Sequence, residues 1–195
     1  MLAAVILSGG ASSRMGSPKA LLPYQGRPFL DHLLEVTQHP RIGVRRVVLG
    51  VHAEPIARAI HLPVDEIVIN EDWEKGQLSS IQEAVRSLPA GVDGALICLI
   101  DHPLISATLV SDLIGAFYSS HAPIVLPIFE GKRGHPVIFT AALFPELLGA
   151  PLEVGARAVV WAHRGAVCEF ATNEEGCIVN LNDPETFARV TRSAE

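Results

Sequence analysis

Cysteine, aromatic residues and positive charge are all scarce in this chain of 195 residues. Its three cysteines, Cys98, Cys168 and Cys177, include no C-x-x-C pair. An odd number of cysteines without that spacing gives no zinc motif and is typical of a reducing compartment. The formal net charge of −6 argues against broad binding of nucleic acid, which normally needs a surplus of basic residues.

Long hydrophobic runs are also missing. Although 49% of the residues are hydrophobic, no uninterrupted run approaches the roughly 20 residues that cross a membrane. The first four residues carry no basic segment of the kind that opens a signal peptide. We therefore expect a cytoplasmic protein with no membrane partner. The length suits a single domain, residues 1–195.

A glycine-rich loop follows the first apolar run. Residues 3–7 are apolar without interruption, which predicts a strand buried on both faces of a parallel sheet. In the loop, Gly9, Gly10 and Gly16 can adopt positive φ and point successive backbone N–H groups at an anion. Arg14 and Lys19 add positive charge. The loop is therefore predicted to hold phosphates.

This loop fits neither a Walker motif nor a G-x-G-x-x-G dinucleotide fingerprint. From Leu7 to Lys19 it reads L-x-G-G-x-S-x-R-M-G-x-x-K. The pattern resembles the signature of nucleotidyltransferases, and in particular the molybdenum cofactor guanylyl- and cytidylyltransferases. The resemblance implies that Arg14 and Lys19 act in catalysis. It also implies that the nucleotide contacts Leu7, Ser8, Gly9, Gly10, Ser13, Arg14 and Lys19.

A second segment, residues 70–81, opens a predicted helix that ends at about Leu88. It resembles the family's N-x-x-x-x-x-G-x-x-x-S-L segment, which lies over the base and ribose. The resemblance implies nucleotide contacts from Asn70, Gly76, Ser79 and Ser80. Glycine permits a tight turn there, and the serines can offer hydroxyl or N–H groups to an oxygen atom. The alternative is that a serine only caps the helix.

Asp101 follows a predicted buried strand, residues 94–100. Ligands of open α/β sheets bind at the carboxyl ends of the strands, and Mg²⁺ is typically held by one or two carboxylates together with phosphates. Asp101-His102-Pro103 resembles the family's D-x-P motif, whose aspartate carries Mg²⁺. Asp101 is therefore predicted to be a metal ligand and a catalytic residue, while the role of His102 stays open. The alternative is that Asp101 only caps the helix predicted near residues 106–117.

Residues 178–186 resemble the family's N/D-I-N/D-T-P-E-D segment. If they form a strand, Asn180 and Asn182 lie on one side and both can reach the metal or the triphosphate. The sequence departs from the pattern at Asp183, where Thr is usual, and at Thr186, where Asp is usual. A neutral asparagine is a weaker metal ligand than a carboxylate, although the guanylyl branch also uses asparagine there.

Two further segments point to an acceptor site. Residues 131–139 predict a hairpin and resemble the G-x-x-G-H-P-V-x-F segment of the cytidylyl branch. The resemblance implies that Gly134, His135 and Pro136 contact the acceptor. Arg157 stands in a G-A-R sequence that resembles the start of a family helix facing the acceptor pocket. The alternatives are that the hairpin tip is only a solvated turn and that Arg157 is only a surface residue.

Strands and helices alternate along the rest of the chain. Together with the resemblance, this alternation predicts a three-layer α/β fold with a mostly parallel, Rossmann-like sheet of the nucleotide-diphospho-sugar transferase type. Further strands are predicted near residues 45–51, 65–70, 122–127 and 167–170, and further helices near residues 29–38, 55–60, 140–148, 155–163 and 185–192.

The resemblance implies a Mg²⁺-dependent enzyme that moves a nucleoside monophosphate from an NTP to the phosphate of molybdopterin and releases pyrophosphate. Residues 134–137 favour CTP, with GTP next, and a molybdoenzyme that receives the product is a further expected partner. Two alternatives remain. One is a nucleotidyltransferase for another phosphorylated acceptor, such as a sugar phosphate, phospholactate or methylerythritol phosphate. The other is a molybdenum cofactor carrier without catalysis, motivated by the two asparagines.

Overall fold

An eight-stranded, mostly parallel sheet forms the centre of the protein in a computed structural model that describes residues 1–12 and 16–192. The strands are β1 (Leu2–Ser8), β2 (Pro23–Tyr24), β3 (Arg27–Pro28), β4 (Ile42–Leu49), β5 (Ile67–Ile69), β6 (Gly94–Leu99), β7 (Ile124–Phe129), β8 (Lys132–Arg133), β9 (Val137–Thr140) and β10 (Val167–Ala171), of which β2 and β3 form a separate hairpin. The main path of the sheet has the order β10-β7-β9-β6-β1-β4-β5, and β8 pairs with β7. On this path β9 runs antiparallel to both of its neighbours, and the other adjacent strands are parallel.

Helices cover both faces of the sheet. They are α1 (Phe29–Val36), α2 (Ala53–Ile60), α3 (Gln77–Ser87), α4 (Ala107–Ser120), α5 (Phe144–Gly149), α6 (Arg157–Ala162) and α7 (Pro184–Arg192). Short 3₁₀ turns lie at Lys19–Leu21, Val64–Glu66, Trp73–Lys75, Ala141–Leu143 and Glu175–Cys177. Within the described residues, no helix is both long enough and apolar enough to cross a membrane.

Two hydrophobic cores separate the helices into two layers. Helices α1, α2 and α4 pack on one face of the sheet, and α3, α5 and α6 pack on the other. In β1 every residue is buried, and Ile6 belongs to one core while Val5 and Leu7 belong to the other. Successive side chains of a strand point to opposite faces, so only an unbroken apolar run satisfies both cores. The predicted three-layer α/β architecture is confirmed.

Residues 178–182 do not form the strand on which Asn180 and Asn182 would share one side. This segment leaves a 3₁₀ turn and runs as irregular chain to α7, with Leu181 fully buried. The backbone N–H of Leu181 donates to the carbonyl oxygen of Asp101 at 2.7 Å. The carboxylate of Asp183 accepts from the backbone N–H of Thr186 at 2.8 Å, as expected of a residue that caps a helix. Leu181 lies between two asparagines because its side chain is buried and its backbone is bonded to Asp101, not because the segment is a strand.

Asp101 does not cap α4. The N-cap residue of that helix is Ser106, whose Oγ accepts from the backbone N–H of Leu109 at 3.0 Å. The same hydroxyl donates to Glu174 at 2.6 Å. The side chain of Asp101 is therefore available for another purpose.

We expect Ser106→Ala to lower the free energy of unfolding by about 1 kcal/mol, because α4 loses its N-terminal cap. Chemical denaturation of the purified variant measures this change. Ser119→Ala, at an exposed position near the end of α4, is the matched control and should change the stability little. Equal losses in the two variants would contradict the capping role.

Candidate active site

The carboxyl ends of β1 and β6 lie side by side and open onto a cavity of about 330 Å³. The backbone N–H of Ile100 donates to the carbonyl oxygen of Leu7 at 3.1 Å, which holds Asp101 beside the glycine-rich loop. The cavity is lined by Leu7, Gly9, Gly10, Ser12, Lys19, Trp73, Glu74, Gly76, Gln77, Ser80, Leu99, Ile100 and Asp101. We call it the loop cavity.

Lys19 joins the predicted metal ligands to the loop. Its backbone N–H donates to Ser12 Oγ at 3.1 Å, and its ammonium donates to the side-chain oxygen of Asn182. The ammonium also lies 3.7 Å from a carboxylate oxygen of Asp101. The side chains of Lys19 and Asp101 are only 14% and 23% exposed, so solvent screens their attraction less than it does on the open surface.

The oxygen atoms around this ammonium fit the predicted metal. In residues 1–12 and 16–192, no group of three or more His, Cys, Asp or Glu side chains is arranged to hold a metal ion. A carboxylate oxygen of Asp101 and the amide oxygen of Asn182 nevertheless both lie near the Lys19 ammonium. One carboxylate with few other protein ligands suits Mg²⁺, which keeps several waters and takes phosphate oxygens. Asn180 is exposed.

The loop itself differs from the prediction in its backbone. Gly9 and Gly10 do not adopt positive φ, whereas Ser12 and Gly16 do, with φ of 51° and 68°. Gly9 is needed for close approach, because a Cβ atom there would lie 2.9 Å from Ser80 Oγ. Ser8 is buried at the end of β1 and does not line the loop cavity. The predicted residues Ser13 and Arg14 lie outside the described residues.

The segment after β5 divides into supporting and lining residues. Asn70 is 1% exposed, and its amide nitrogen donates to the hydroxyls of both Ser79 and Ser80 at 2.9 Å. Ser79 Oγ donates to the carbonyl oxygen of Gly76 at 2.7 Å, inside the turn that opens α3. Asn70 and Ser79 therefore shape the segment, while Gly76, with φ of 96°, and Ser80 line the loop cavity.

Three lining residues of this segment were not predicted as site residues. Trp73 and Glu74 lie in the 3₁₀ turn Trp73–Lys75, and Gln77 is the first residue of α3. The glycine that ends the turn marks where the chain bends toward the loop. No feature of the sequence shows which side chains before and after that glycine face the cavity.

A second cavity of about 500 Å³ adjoins the first and shares Gln77 and Leu99 with it. Three of the four residues predicted to contact the acceptor line this cavity, namely Gly134, His135 and Arg157, whereas Pro136 does not. We call it the acceptor cavity. Its walls are mostly apolar and include Leu78, Ile81, Ile97, Leu126, Val137, Phe139, Leu152 and Val160.

Two histidines lie against each other between Asp101 and the acceptor cavity. The rings of His102 and His135 are 5.0 Å apart, and the backbone N–H of His135 donates to the carbonyl oxygen of Cys177 at 2.8 Å. Burial lowers the pKa of His102 and lowers that of His135 to about 4. Both rings are therefore uncharged at neutral pH, and His135 adds no charge to the cavity that it lines.

Comparison with known proteins agrees with this geometry. Residues 4–167 match the family described as the MobA-like NTP transferase domain. The chain is 33% identical over 152 residues to nicotine blue oxidoreductase of Paenarthrobacter nicotinovorans, covering 72% of each chain. It is 32% identical over 198 residues to the molybdenum cofactor guanylyltransferase of Rhizobium meliloti, covering 93% of this chain and 87% of that one.

A solved structure extends the similarity to the fold. The Mycobacterium tuberculosis protein Rv0371c has a TM-score of 0.81 and 26% identity, covering 98% of this chain and 97% of that one. Its structure in complex with manganese has a TM-score of 0.75 and 23% identity, covering 98% of each chain. The matched family, together with Lys19 and Asp101 at the strand ends, shows that the chain belongs to the MobA-like NTP transferase family and is a nucleotidyltransferase.

Proposed function

We propose that the protein transfers a nucleoside monophosphate from an NTP to the phosphate of molybdopterin and releases pyrophosphate, in a reaction that requires Mg²⁺. The product would then pass to a molybdoenzyme. The observation that carries the proposal is the convergence of Lys19, Asp101 and Asn182 beside a cavity lined by Gly9 and Gly10. The guanylyltransferase name of the Rhizobium meliloti relative supports the same acceptor.

The reaction needs positioning and charge more than it needs a general base. The attacking oxygen belongs to a phosphate monoester, which is already largely ionised near neutral pH. Lys19 would hold the α-phosphate and stabilise the charge that develops there. Arg14 is proposed to bind the β- and γ-phosphates. The oxygens of Asp101 and Asn182 are proposed to hold Mg²⁺, which would polarise the phosphate oxygens when it is bound. Asn180 is exposed, and we propose that it is not needed for this contact.

The two cavities divide the substrates between them. We assign the nucleotide to the loop cavity, with Leu7, Gly9, Gly10, Gly76 and Ser80 in direct contact and Ser8, Ser13, Asn70 and Ser79 completing the predicted set. The acceptor occupies the second cavity, near Gly134, His135, Pro136 and Arg157. Because Gln77 and Leu99 line both cavities, the two substrates would bind next to each other.

Two nucleotides are candidates for the donor. CTP is proposed first, because residues 134–137 resemble the cytidylyl branch. GTP is the second candidate, because the Rhizobium meliloti relative is named a guanylyltransferase.

The proposal is tested by pyrophosphate release from purified protein with Mg²⁺, molybdopterin and CTP, GTP or ATP in parallel reactions. We expect release with CTP and less with GTP, and none when molybdopterin is omitted. Release with GTP alone would overturn the choice of nucleotide and keep the reaction. No release with any nucleotide, from protein whose circular dichroism shows that it is folded, would contradict the proposed function.

Lys19→Ala and Asp101→Ala should each lower turnover by about a hundredfold to a thousandfold. The first removes the cation proposed to stabilise the charge on the α-phosphate, and the second removes the carboxylate proposed to hold Mg²⁺. Both variants should fold, since neither side chain belongs to a hydrophobic core. Initial rates of pyrophosphate release measure the loss. Arg58→Ala, which removes an exposed cation paired with Glu54, is the control and should keep the full rate. A near-normal rate in either site variant would disprove the assigned role.

Asn182 and Asn180 provide a matched pair. Asn182→Ala should lower turnover about tenfold or more, because a polar contact to the charged Lys19 is lost. It should also raise the Mg²⁺ concentration needed for half-maximal rate, because the same oxygen is proposed to hold Mg²⁺. Asn180→Ala, at an exposed position, should change the rate by less than about twofold. Mg²⁺ titrations of both variants measure these effects, and equal losses would show that Asn180 also acts in the site.

A further inference from the structure

The side chain of Trp161 lies in an unusual place for a large aromatic group. It is 58% exposed, and it is the only aromatic side chain among the exposed large hydrophobic groups of the described residues. It also lines the acceptor cavity. Val159, two residues earlier on α6, is only 3% exposed and packs in the core. One side of this short helix is therefore buried, and Trp161 lies on another side that is exposed. An exposed indole beside a cavity is available to a ligand.

Arg157 fixes a positive charge next to this ring. Its Nε donates to the carbonyl oxygen of Val154 at 2.6 Å, and its guanidinium carbon lies 5.8 Å from the centre of the Trp161 ring. Among the described residues, no carboxylate forms an ion pair with Arg157. By contrast, Arg133 on the same cavity is paired with Glu169 at 2.6 Å. Glu153 also lines the cavity, but the ion pairs of the described residues do not include it. The guanidinium of Arg157 is therefore the cation of this cavity that can receive an anionic group.

The remaining walls of the acceptor cavity favour a flat, apolar body. Leucine, isoleucine, valine and phenylalanine side chains dominate them, and these groups offer no hydrogen bonds to the hydroxyls of a sugar. A planar heteroaromatic ring can contact such walls with its faces and keep its polar edge toward the opening. Indole rings stack well on such planes, because every flat heterocycle presents a π face.

We propose that Trp161 is the stacking platform for a planar heteroaromatic ring of the acceptor, and that Arg157 binds an anionic group carried beside that ring. This inference rests on the proposed function and narrows its acceptor class. The acceptor is then a phosphorylated fused heterocycle. Sugar phosphates are not acceptors, because they have no π face to stack on Trp161 and no apolar surface to contact the walls of the cavity.

Direct binding tests the platform without turnover. The chain has two tryptophans, of which Trp73 lines the loop cavity and Trp161 lines the acceptor cavity. In a Trp73→Phe variant, the fluorescence of Trp161 is observed alone. Titration with molybdenum-free molybdopterin, in the absence of NTP, should quench this fluorescence in a saturable manner, and ribose 5-phosphate should not. Equal quenching by both compounds would overturn the proposal.

The wild-type background then gives the energetic test. Trp161→Ala should weaken molybdopterin binding, measured by calorimetry, by about tenfold to a hundredfold, and Trp161→Phe should retain most of the affinity. Val64→Ala, which truncates a side chain that is 86% exposed outside both cavities, is the control and should bind as the wild type does. Unchanged affinity in Trp161→Ala would overturn the proposal.

The binding and turnover results separate the two proposals. If Trp161→Ala raises the KM for molybdopterin and leaves the KM for NTP unchanged, both hold. If molybdopterin quenches Trp161 and the alanine variant loses that binding, but no nucleotide yields pyrophosphate, the platform holds and the proposed function fails. If pyrophosphate is released at an unchanged KM for molybdopterin in the alanine variant, the function holds and the platform fails.

Discussion

One ammonium group joins parts of the chain that are far apart in sequence. Lys19 follows the glycine-rich loop, Asp101 follows β6, and Asn182 precedes α7, and each contributes one polar group to the same place. Partial burial of a carboxylate or an ammonium costs free energy, and a nearby opposite charge offsets part of that cost. The pairing of these charges therefore explains why the three segments can meet at the edge of an apolar sheet.

The order and direction of the strands bring these segments close together. Parallel pairing of β1 with β6 brings the ends of both strands to one edge, and the reversed strand β9 brings residues 134–136 close to the same edge from the other direction. The antiparallel strand thus brings Gly134 and His135 to the acceptor cavity, next to the loop cavity that Asp101 lines. The proposed division of the substrates depends on this one change of strand direction.

Much of this arrangement could be predicted from sequence because its signals are local. The apolar run of β1, the glycines after it and the acidic residue after β6 each indicate a strand end that carries a ligand site. The packing of side chains could not be predicted in the same way. Asn70 has a polar side chain in the predicted nucleotide segment, yet it is buried and holds two serines in place. Only the tertiary contacts decide between supporting and lining roles.

The segment that carries Asn182 shows the same limit. An Asn-Leu-Asn sequence is typical of a strand with one buried face, but here a single hydrogen bond to Asp101 and one buried leucine account for the pattern. The pairing of His102 with His135 also depends on contacts between distant segments, and the sequence shows only that each histidine lies beside a proline.

The position of Asn182 in the chain has a consequence for local unfolding. All strands of the sheet, the glycine-rich loop and Asp101 precede it along the chain. Opening of the segment after β10 can therefore remove the amide partner of Lys19 while the strands stay paired. Asn182 is followed directly by the cap of α7, and Phe187 of that helix packs against Phe29 of α1 with ring centres 5.9 Å apart. The packing of α7 on α1 therefore helps to keep Asn182 beside Lys19, and fraying of this helix would loosen the charged centre first.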